Sequence, residues 1–302
     1  MASPVLLRST DVGAPVLTGE NGAGNAVAKW ALPQLGWTIE FEDGHRTVFR
    51  QGGGPQQYLR LIDDSALHSG GANGMSVAHL KTAADIDSPQ QSPSTGHRFI
   101  HKSNGANANV RPWMILGNDQ LLYWFIDSGD RNPRQWCVYP IGTGRNFLSG
   151  AEGEHFVIPS QSTTSTGATA TVAGLQAVTR IAGQTGASGM LMSESLTNGN
   201  PFAPGADTLS GGQGNSNSLW PDMPYIFCQP PRLSGGGMIV VLAGCLTIHA
   251  DTQGWPSESE VYINSPVGLR RCLLTKTNSR LASAVNPDYF AFDLDDWSWW
   301  WQ

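Results

Sequence analysis

The clearest indication of the fold is the segment Trp113-Met114-Ile115-Leu116-Gly117-Asn118-Asp119-Gln120-Leu121-Leu122-Tyr123-Trp124-Phe125-Ile126. Two apolar runs flank a four-residue segment rich in turn-forming residues, and this order predicts a β-hairpin. Successive side chains of a strand point to opposite faces, so a run that is apolar at every position has two apolar faces. We therefore expect this hairpin to lie in the middle of a packed sheet.

Neighbouring segments predict more strands and one helix. Residues 46–50 and 57–62 flank a Gly-rich loop and predict a second hairpin. Apolar residues recur at helical spacing in residues 22–35, and Pro33 with Gly36 predicts the end of that helix. Further strands are predicted at residues 98–100, 175–181, 225–227, 238–249, 260–263 and 271–274. The predicted fold class is mainly β, with β-sandwich or barrel-like sheets, one short N-terminal helix and long Gly/Ser/Asn-rich loops.

The composition changes along the chain and predicts three regions. Residues 1–158 form an N-terminal β-rich domain, residues 159–237 a loop-rich connecting region, and residues 238–302 a C-terminal β segment with a Trp-rich tail. Long structureless loops are uncommon inside compact domains and are often functional, so we expect the connecting region to become ordered against neighbouring subunits. The C-terminal segment either stands apart or completes one domain with the N-terminal part.

The composition also excludes several classes of protein. With 302 residues, 40% apolar residues and 11 Trp, the chain has enough apolar material for a core and is unlike a disordered chain. The longest apolar run, residues 238–246, falls short of the roughly 20 residues that span a bilayer. The first residues lack the basic and apolar regions of a secretory leader. A net charge of −6 gives no electrostatic reason to bind nucleic acid or an anionic membrane.

The reactive side chains form no recognisable catalytic constellation. The sequence has no phosphate-binding glycine loop, no zinc-protease motif and no nucleophile elbow. His97 and His101 share one face of a predicted strand, and Asp85 and Asp87 are interpreted as turn residues. We expect no enzymatic activity, no cofactor and no metal. The alternative is a polysaccharide hydrolase that uses one of the carboxylate clusters as an acid/base pair.

The cysteines are spaced too widely for a zinc site, since such sites need ligands clustered at short spacing. The four residues are Cys137, Cys228, Cys245 and Cys272. We expect free, buried thiols in a protein that folds in a reducing cytoplasm, while a disulfide formed later is the alternative.

The end of the chain carries four of its tryptophans beside three aspartates. They are Trp297, Trp299, Trp300 and Trp301. A free tail of this kind would expose more apolar surface than soluble monomers tolerate. The tail therefore either folds back into its own core or docks on a partner subunit, where Trp is a strong anchor. In the second case these four residues are the candidate interface.

Several segments resemble a family of tailed-bacteriophage virion structural proteins. The resemblance rests on Ser9-Thr10-Asp11-Val12-Gly13-Ala14-Pro15-Val16-Leu17-Thr18-Gly19, Gly36-Trp37-Thr38-Ile39, Val48-Phe49-Arg50-Gln51-Gly52, Tyr58-Leu59-Arg60-Leu61-Ile62-Asp63-Asp64, Ala84-Asp85-Ile86-Asp87, Arg111-Pro112-Trp113-Met114-Ile115-Leu116 and Leu122-Tyr123-Trp124-Phe125-Ile126-Asp127. Ala177-Val178-Thr179-Arg180 and Gly183-Gln184-Thr185-Gly186 are similar to a later strand and glycine turn. The good matches fall within residues 9–127.

The resemblance implies a non-enzymatic component of a tailed-phage virion, folded in the host cytoplasm before assembly. The expected location is the tail tip or baseplate, and the expected partners are other virion proteins and further copies of the chain in a symmetric ring or array. A capsid decoration or collar protein is one alternative, and a module that binds a host receptor or surface glycan is another.

Overall fold

The computed structural model of the protein describes residues 3–54, 56–68, 74–80, 82–89, 98–103, 108–127, 136–146, 154–159, 190–193, 227–229, 232–235, 238–241, 243–249, 258–265, 268–276 and 289–298. The elements in these residues are β1 (Val5–Arg8), α1 (Ala23–Ala31), a 3-10 helix (Leu32–Leu35), β2 (Thr38–Asp43), β3 (Arg46–Arg50), β4 (Tyr58–Ile62), β5 (Gly74–Leu80), β6 (Arg98–His101), β7 (Trp113–Gly117), β8 (Leu121–Ile126), β9 (Cys137–Asn146), β10 (Glu154–Pro159), β11 (Met190–Ser193), β12 (Phe227–Gln229), β13 (Arg232–Gly235), β14 (Met238–Val241), β15 (Cys245–His249), β16 (Ser259–Ser265), β17 (Gly268–Lys276) and β18 (Tyr289–Asp293).

The strands form three antiparallel sheets. The central sheet has the order β1-β7-β8-β9-β10-β11, with β14 also paired to β9 and β13 paired to β14. The N-terminal sheet is the meander β2-β3-β4-β5-β6, and the C-terminal sheet has the order β12-β15-β18-β17-β16. The predicted fold class, mainly β with one short N-terminal helix, is confirmed.

The β7–β8 hairpin lies between two cores, as its doubly apolar pattern predicts. Alternate residues, such as Met114 and Tyr123, point into a first core shared with the C-terminal sheet. The residues between them, such as Trp113 and Trp124, point into a second core shared with the N-terminal sheet and helix α1. Every residue of both strands is buried. A fully buried large apolar side chain contributes about 1.5–3 kcal/mol, so the residues of this hairpin stabilise both cores.

Helix α1 occupies most of the predicted range and buries one face against the second core. Val27, Ala28 and Ala31 form that face. The chain then tightens into the 3-10 helix, which has Pro33 in its first turn. Gly36 follows with a φ of 92°, a left-handed conformation that glycine adopts without strain. The predicted end of the helical segment is confirmed.

The strand predicted over residues 238–249 is wrong as one continuous element. The chain runs in the central sheet as β14, turns at Ala243 and Gly244, and continues in the C-terminal sheet as β15. Gly244 has a φ of 74°, which breaks the extended backbone. Because the two sheets are separate layers, one straight strand cannot belong to both. The first core therefore joins residues from both ends of the sequence.

The connecting region contributes strands to two sheets. Within residues 159–237, β11 and β13 belong to the central sheet and β12 to the C-terminal sheet. The predicted strand at residues 175–181 lies outside the described residues. None of the helices in the described part of the chain has the length and apolar character needed to cross a membrane.

Candidate functional site

The N-terminal and central sheets meet at a polar joint, which we call the seam. It consists of Trp37, Gln51, Gly52 and Gly53 on one side and Asn118, Asp119, Gln120 and Thr143 on the other. The backbone N–H groups of Gly52 and Gly53 donate to the carbonyl oxygen of Asp119 at 3.2 and 3.3 Å. The loop after β3 is therefore bound to the turn of the central hairpin by main-chain hydrogen bonds.

Gln51 links three parts of the chain within the seam. Its side chain is fully buried, and its amide nitrogen donates to the Gln120 carbonyl and to Thr143 Oγ1, the latter at 3.1 Å. Its amide oxygen accepts from the Gln57 backbone N–H at 3.3 Å. A buried amide is stabilising when its donors and acceptors are paired, so Gln51 acts as a structural connector.

The seam also requires glycine at a fixed position. A Cβ atom on Gly52 would lie 2.0 Å from the carbonyl oxygen of Gly36. No side chain fits at that distance unless the backbone moves. The Arg-Gln-Gly turn of the resemblance therefore serves a close contact between two loops of the framework.

A buried ion pair lies at the N-terminal end of helix α1. Lys102 Nζ donates to Asp63 Oδ1, and to the Glu20 carbonyl at 2.6 Å. The Lys102 side chain is 0% exposed and that of Asp63 is 1% exposed. Asp63 Oδ2 accepts the backbone N–H groups of Gly24 and Asn25 at 2.7 and 3.2 Å. The carboxylate thus caps the first turn of α1, where helix N–H groups otherwise lack partners.

Burial raises the pKa of Asp63 above its ordinary value, since a charged carboxylate loses its hydration there. The Lys102 ammonium opposes this rise, as do the two N–H groups of the helix. The arrangement places a primary amine against a carboxyl group, away from water and in a fixed orientation. It is the only contact between two fully buried, oppositely charged side chains in the described part of the chain.

Trp297 lies inside the first core. Its side chain is 0% exposed, its ring stands edge-on to Tyr123 at 5.7 Å, and its Nε1 donates to the Asp293 carbonyl at 2.8 Å. It also covers Gly244, where a Cβ atom would lie 2.2 Å from the indole ring. Trp297 therefore follows the folded-back alternative, and in this position it is not available as an interface anchor. Trp299, Trp300 and Trp301 lie outside the described residues, so for them the interface remains a prediction.

Several clustered carboxylates within the described residues are used in turns and ion pairs. Asp85 Oδ1 accepts the Asp87 backbone N–H at 2.9 Å, and Asp293 Oδ1 accepts the Asp295 N–H at 2.9 Å. Glu40 pairs with Arg50. These contacts fit the turn interpretation of residues 85 and 87.

The metal-ligating side chains of the described residues form no group of three that could hold an ion. His101 is buried at the end of β6, whereas His97 lies outside the described residues. The side chains of Cys137, Cys245 and Cys272 are buried, as predicted, whereas the side chain of Cys228 lies outside the part of the chain that the structure describes.

A small cleft opens between β1 and the C-terminal sheet. It has a volume of about 220 Å³ and is lined by Pro4, Leu6, Arg8, Leu116, Glu260, Arg271 and Leu294. Ligand pockets usually measure about 300–1,000 Å³. Arg271 already pairs with Glu260 at 3.6 Å and with Asp295 at 3.4 Å. The positive charge of Arg271 is therefore balanced by carboxylates of the same chain.

Sequence reasoning missed the Lys102–Asp63 pair and the role of Gln51. Two signals could have pointed to the pair: Asp63 directly follows a strand of alternating apolar residues, and Lys102, one of few lysines, directly follows a strand segment with apolar residues. Nothing in the local sequence of Gln51 indicates that it is buried.

No protein-family model, curated protein or solved structure matches this chain.

Proposed function

We propose that this protein is a non-enzymatic structural component of a tailed-phage particle, located in the tail tip or baseplate, and that it acts through contacts between subunits. The observation that carries the proposal is that the segments resembling the phage family contact one another as framework. Strand β3 pairs with β4, with Val48 opposite Arg60, and Trp113 Nε1 donates to the Pro15 carbonyl at 3.0 Å. Residues whose pattern is explained by mutual packing favour a scaffold over a catalytic site.

The use of the described acidic side chains supports the same proposal. Carboxylates of the candidate hydrolase clusters cap turns or pair with arginine, as Asp85 and Glu40 do. A glycosidase needs two carboxyl groups that face each other across an open cleft.

The C-terminal sheet offers a surface suited to neighbours. Strand β16 lies at one edge of this sheet, and edge strands present backbone N–H and C=O groups to other chains. Tyr262 on β16 is 66% exposed, and Leu269 on β17 is 63% exposed. Tyr262 stands opposite Arg271, and Leu269 stands opposite Asn264, so both apolar side chains lie on the same face of the hairpin. Repeated contacts through such a face are what a ring or array of copies needs.

The test is mass spectrometry of phage particles purified through successive density gradients. We expect peptides of this chain to copurify at a constant ratio to known particle proteins, while host cytoplasmic proteins decline at each step. Separating detached tails from capsids locates the chain, since recovery with capsids indicates the decoration or collar alternative. Absence from intact particles would overturn the proposal.

A further inference from the structure

The buried Lys102–Asp63 pair has a chemical capacity beyond its role in packing. Taking two charges out of water is expensive, and a buried ion pair often stabilises a protein less than apolar residues of similar volume would. Both side chains here are held by several directed contacts rather than by the pair alone.

The contacts hold the amine of Lys102 beside the carboxyl group of Asp63. Lys102 Nζ touches Asp63 Oδ1 and is anchored from a second direction by the Glu20 carbonyl. Holding two reacting groups together in a fixed orientation replaces the entropy cost of a bimolecular encounter. The segment after β6 and the end of β4 supply the two groups, and the fold brings them together across 39 positions of sequence.

The other carboxyl oxygen faces the kind of donors that stabilise a developing negative charge. Asp63 Oδ2 accepts N–H groups from Gly24 at 2.7 Å and from Asn25 at 3.2 Å, in the first turn of α1. Two backbone N–H groups at a helix N-terminus form an oxyanion-hole arrangement for acyl transfer, and the helix dipole adds to it. The same site therefore holds a nucleophile, an acyl group and an oxyanion pocket.

We propose that Lys102 and Asp63 condense within the folded chain to form an intramolecular amide bond. A proton passes from Lys102 Nζ to Asp63 Oδ1, and the freed electron pair of Nζ attacks Cγ. Negative charge collects on Oδ2 in front of the Gly24 and Asn25 N–H groups. A second proton moves from Nζ to Oδ1, the Cγ–Oδ1 bond breaks, and water leaves. The ammonium and carboxylate supply every atom and proton of the amide and the water, so no co-reactant is required.

The product keeps the hydrogen bonds of the pair and removes its charges. Oδ2 becomes the amide oxygen and still accepts from Gly24 and Asn25, and the amide N–H can still donate to the Glu20 carbonyl. A neutral amide with paired donor and acceptor costs less to bury than two ions. The new bond would join the residue after β4 to the residue after β6, two strands of the N-terminal sheet that are separated by β5.

The test is the intact mass of the purified full chain in denaturant, followed by mapping of its tryptic fragments. We expect a mass below the sequence value by one water molecule, and a branched fragment joining the peptide that holds Asp63 to the peptide that holds Lys102. Lys102 should also resist tryptic cleavage. A wild-type chain of full mass after prolonged incubation of the folded protein, with linear fragments only, would overturn the proposal.

Matched variants separate this bond from other losses of water. Lys102→Met and Asp63→Ala should both have full mass, whereas Lys29→Met, at a half-buried lysine paired with Glu42, should keep the deficit. A succinimide at Asp43-Gly44 would give the same mass but no branched fragment, and it would persist in Lys102→Met. A mass deficit that persists in Lys102→Met, without a branched fragment, would overturn the proposal of an amide bond. The masses are read on unfolded chains, so the wild-type result stands even if a variant folds poorly.

Discussion

The indole Nε1 of Trp37 lies 2.9 Å from the carbonyl oxygen of Asn118 and donates a buried hydrogen bond across the seam. The two residues are 81 positions apart in sequence, so this bond forms only when the N-terminal and central sheets are packed together. It is a local reporter of the contact on which the three-layer arrangement depends.

Replacing Trp37 with Phe should weaken that contact. The variant keeps an aromatic ring but leaves the Asn118 carbonyl without its donor, which costs about 1–3 kcal/mol for a buried group. Urea denaturation should show a lower midpoint with an unchanged slope. Trp37→Ala should cost more, about 3–5 kcal/mol, because it also creates a cavity. Equal stability of wild type and Trp37→Phe would contradict the importance of the bond.

Gly52→Ala should destabilise the protein through a steric clash. The added Cβ would lie 2.0 Å from the Gly36 carbonyl oxygen, so the two loops must separate, at a cost of about 1–3 kcal/mol. Gly44→Ala is the control. It adds the backbone strain of a residue with a φ of 57° but causes no clash, since nothing lies within 4 Å of the added atom. Thermal unfolding should show a lower Tm for Gly52→Ala than for Gly44→Ala. The reverse order would argue against the close contact.

Lys102→Met should leave the Asp63 carboxyl buried without its partner. Relative to the wild-type chain in which Lys102 and Asp63 are still an ion pair, removing one member of a buried charged pair costs about 3–5 kcal/mol. The loss should be smaller in the double variant Lys102→Met/Asp63→Asn, since no charge is then buried. Denaturant titrations at neutral pH measure both differences. A single variant more stable than the double would contradict the role of Lys102 in compensating Asp63.

The stability of Lys102→Met should depend on pH in a direction that the raised pKa of Asp63 determines. Burial raises the pKa of Asp63 and Lys102 opposes this, so the pKa should be higher still in Lys102→Met. A carboxyl with a raised pKa binds its proton more tightly in the folded than in the unfolded chain. The free energy of unfolding should therefore fall as pH rises from 3.8 to the raised value, and level off above it. The double variant lacks this carboxyl and serves as control. A relative stability that rises with pH would contradict the account.

Two truncations distinguish core from interface in the tail. A chain ending at Ser298 keeps Trp297, whereas one ending at Asp296 loses a side chain that is 0% exposed. Deleting a buried Trp costs about 3–5 kcal/mol. Urea midpoints of the two chains should therefore differ clearly. Equal midpoints would show that Trp297 does not stabilise the core. Incorporation of the longer truncation into particles separately tests whether Trp299, Trp300 and Trp301 dock on a partner.

Local patterns predicted the elements that local forces determine. The runs of residues 113–116 and 121–126 predicted the central hairpin. Successive side chains of a strand point to opposite faces, so a run that is apolar at every position must be buried on both faces. The helical spacing in residues 22–35, with Pro33 and Gly36, gave the helix and its end.

Features that depend on distant parts of the chain could not be predicted in this way. The division of residues 238–249 between two sheets depends on the layer arrangement and on Gly244 beneath Trp297. The pairing of Lys102 with Asp63 requires the helix, β4 and the segment after β6 to converge. Polar residues that become buried at such points carry no periodic signal, because their partners are far away in sequence.

The central claim, that this chain is a structural part of a phage particle, is tested most directly by its copy number per particle. Quantitative mass spectrometry with isotope-labelled peptides of this chain and of a major capsid protein measures that number. The account predicts one fixed integer that is the same in independent preparations and compatible with a symmetric ring or array. A chain that is absent, or present at a variable and fractional number of copies, would contradict it.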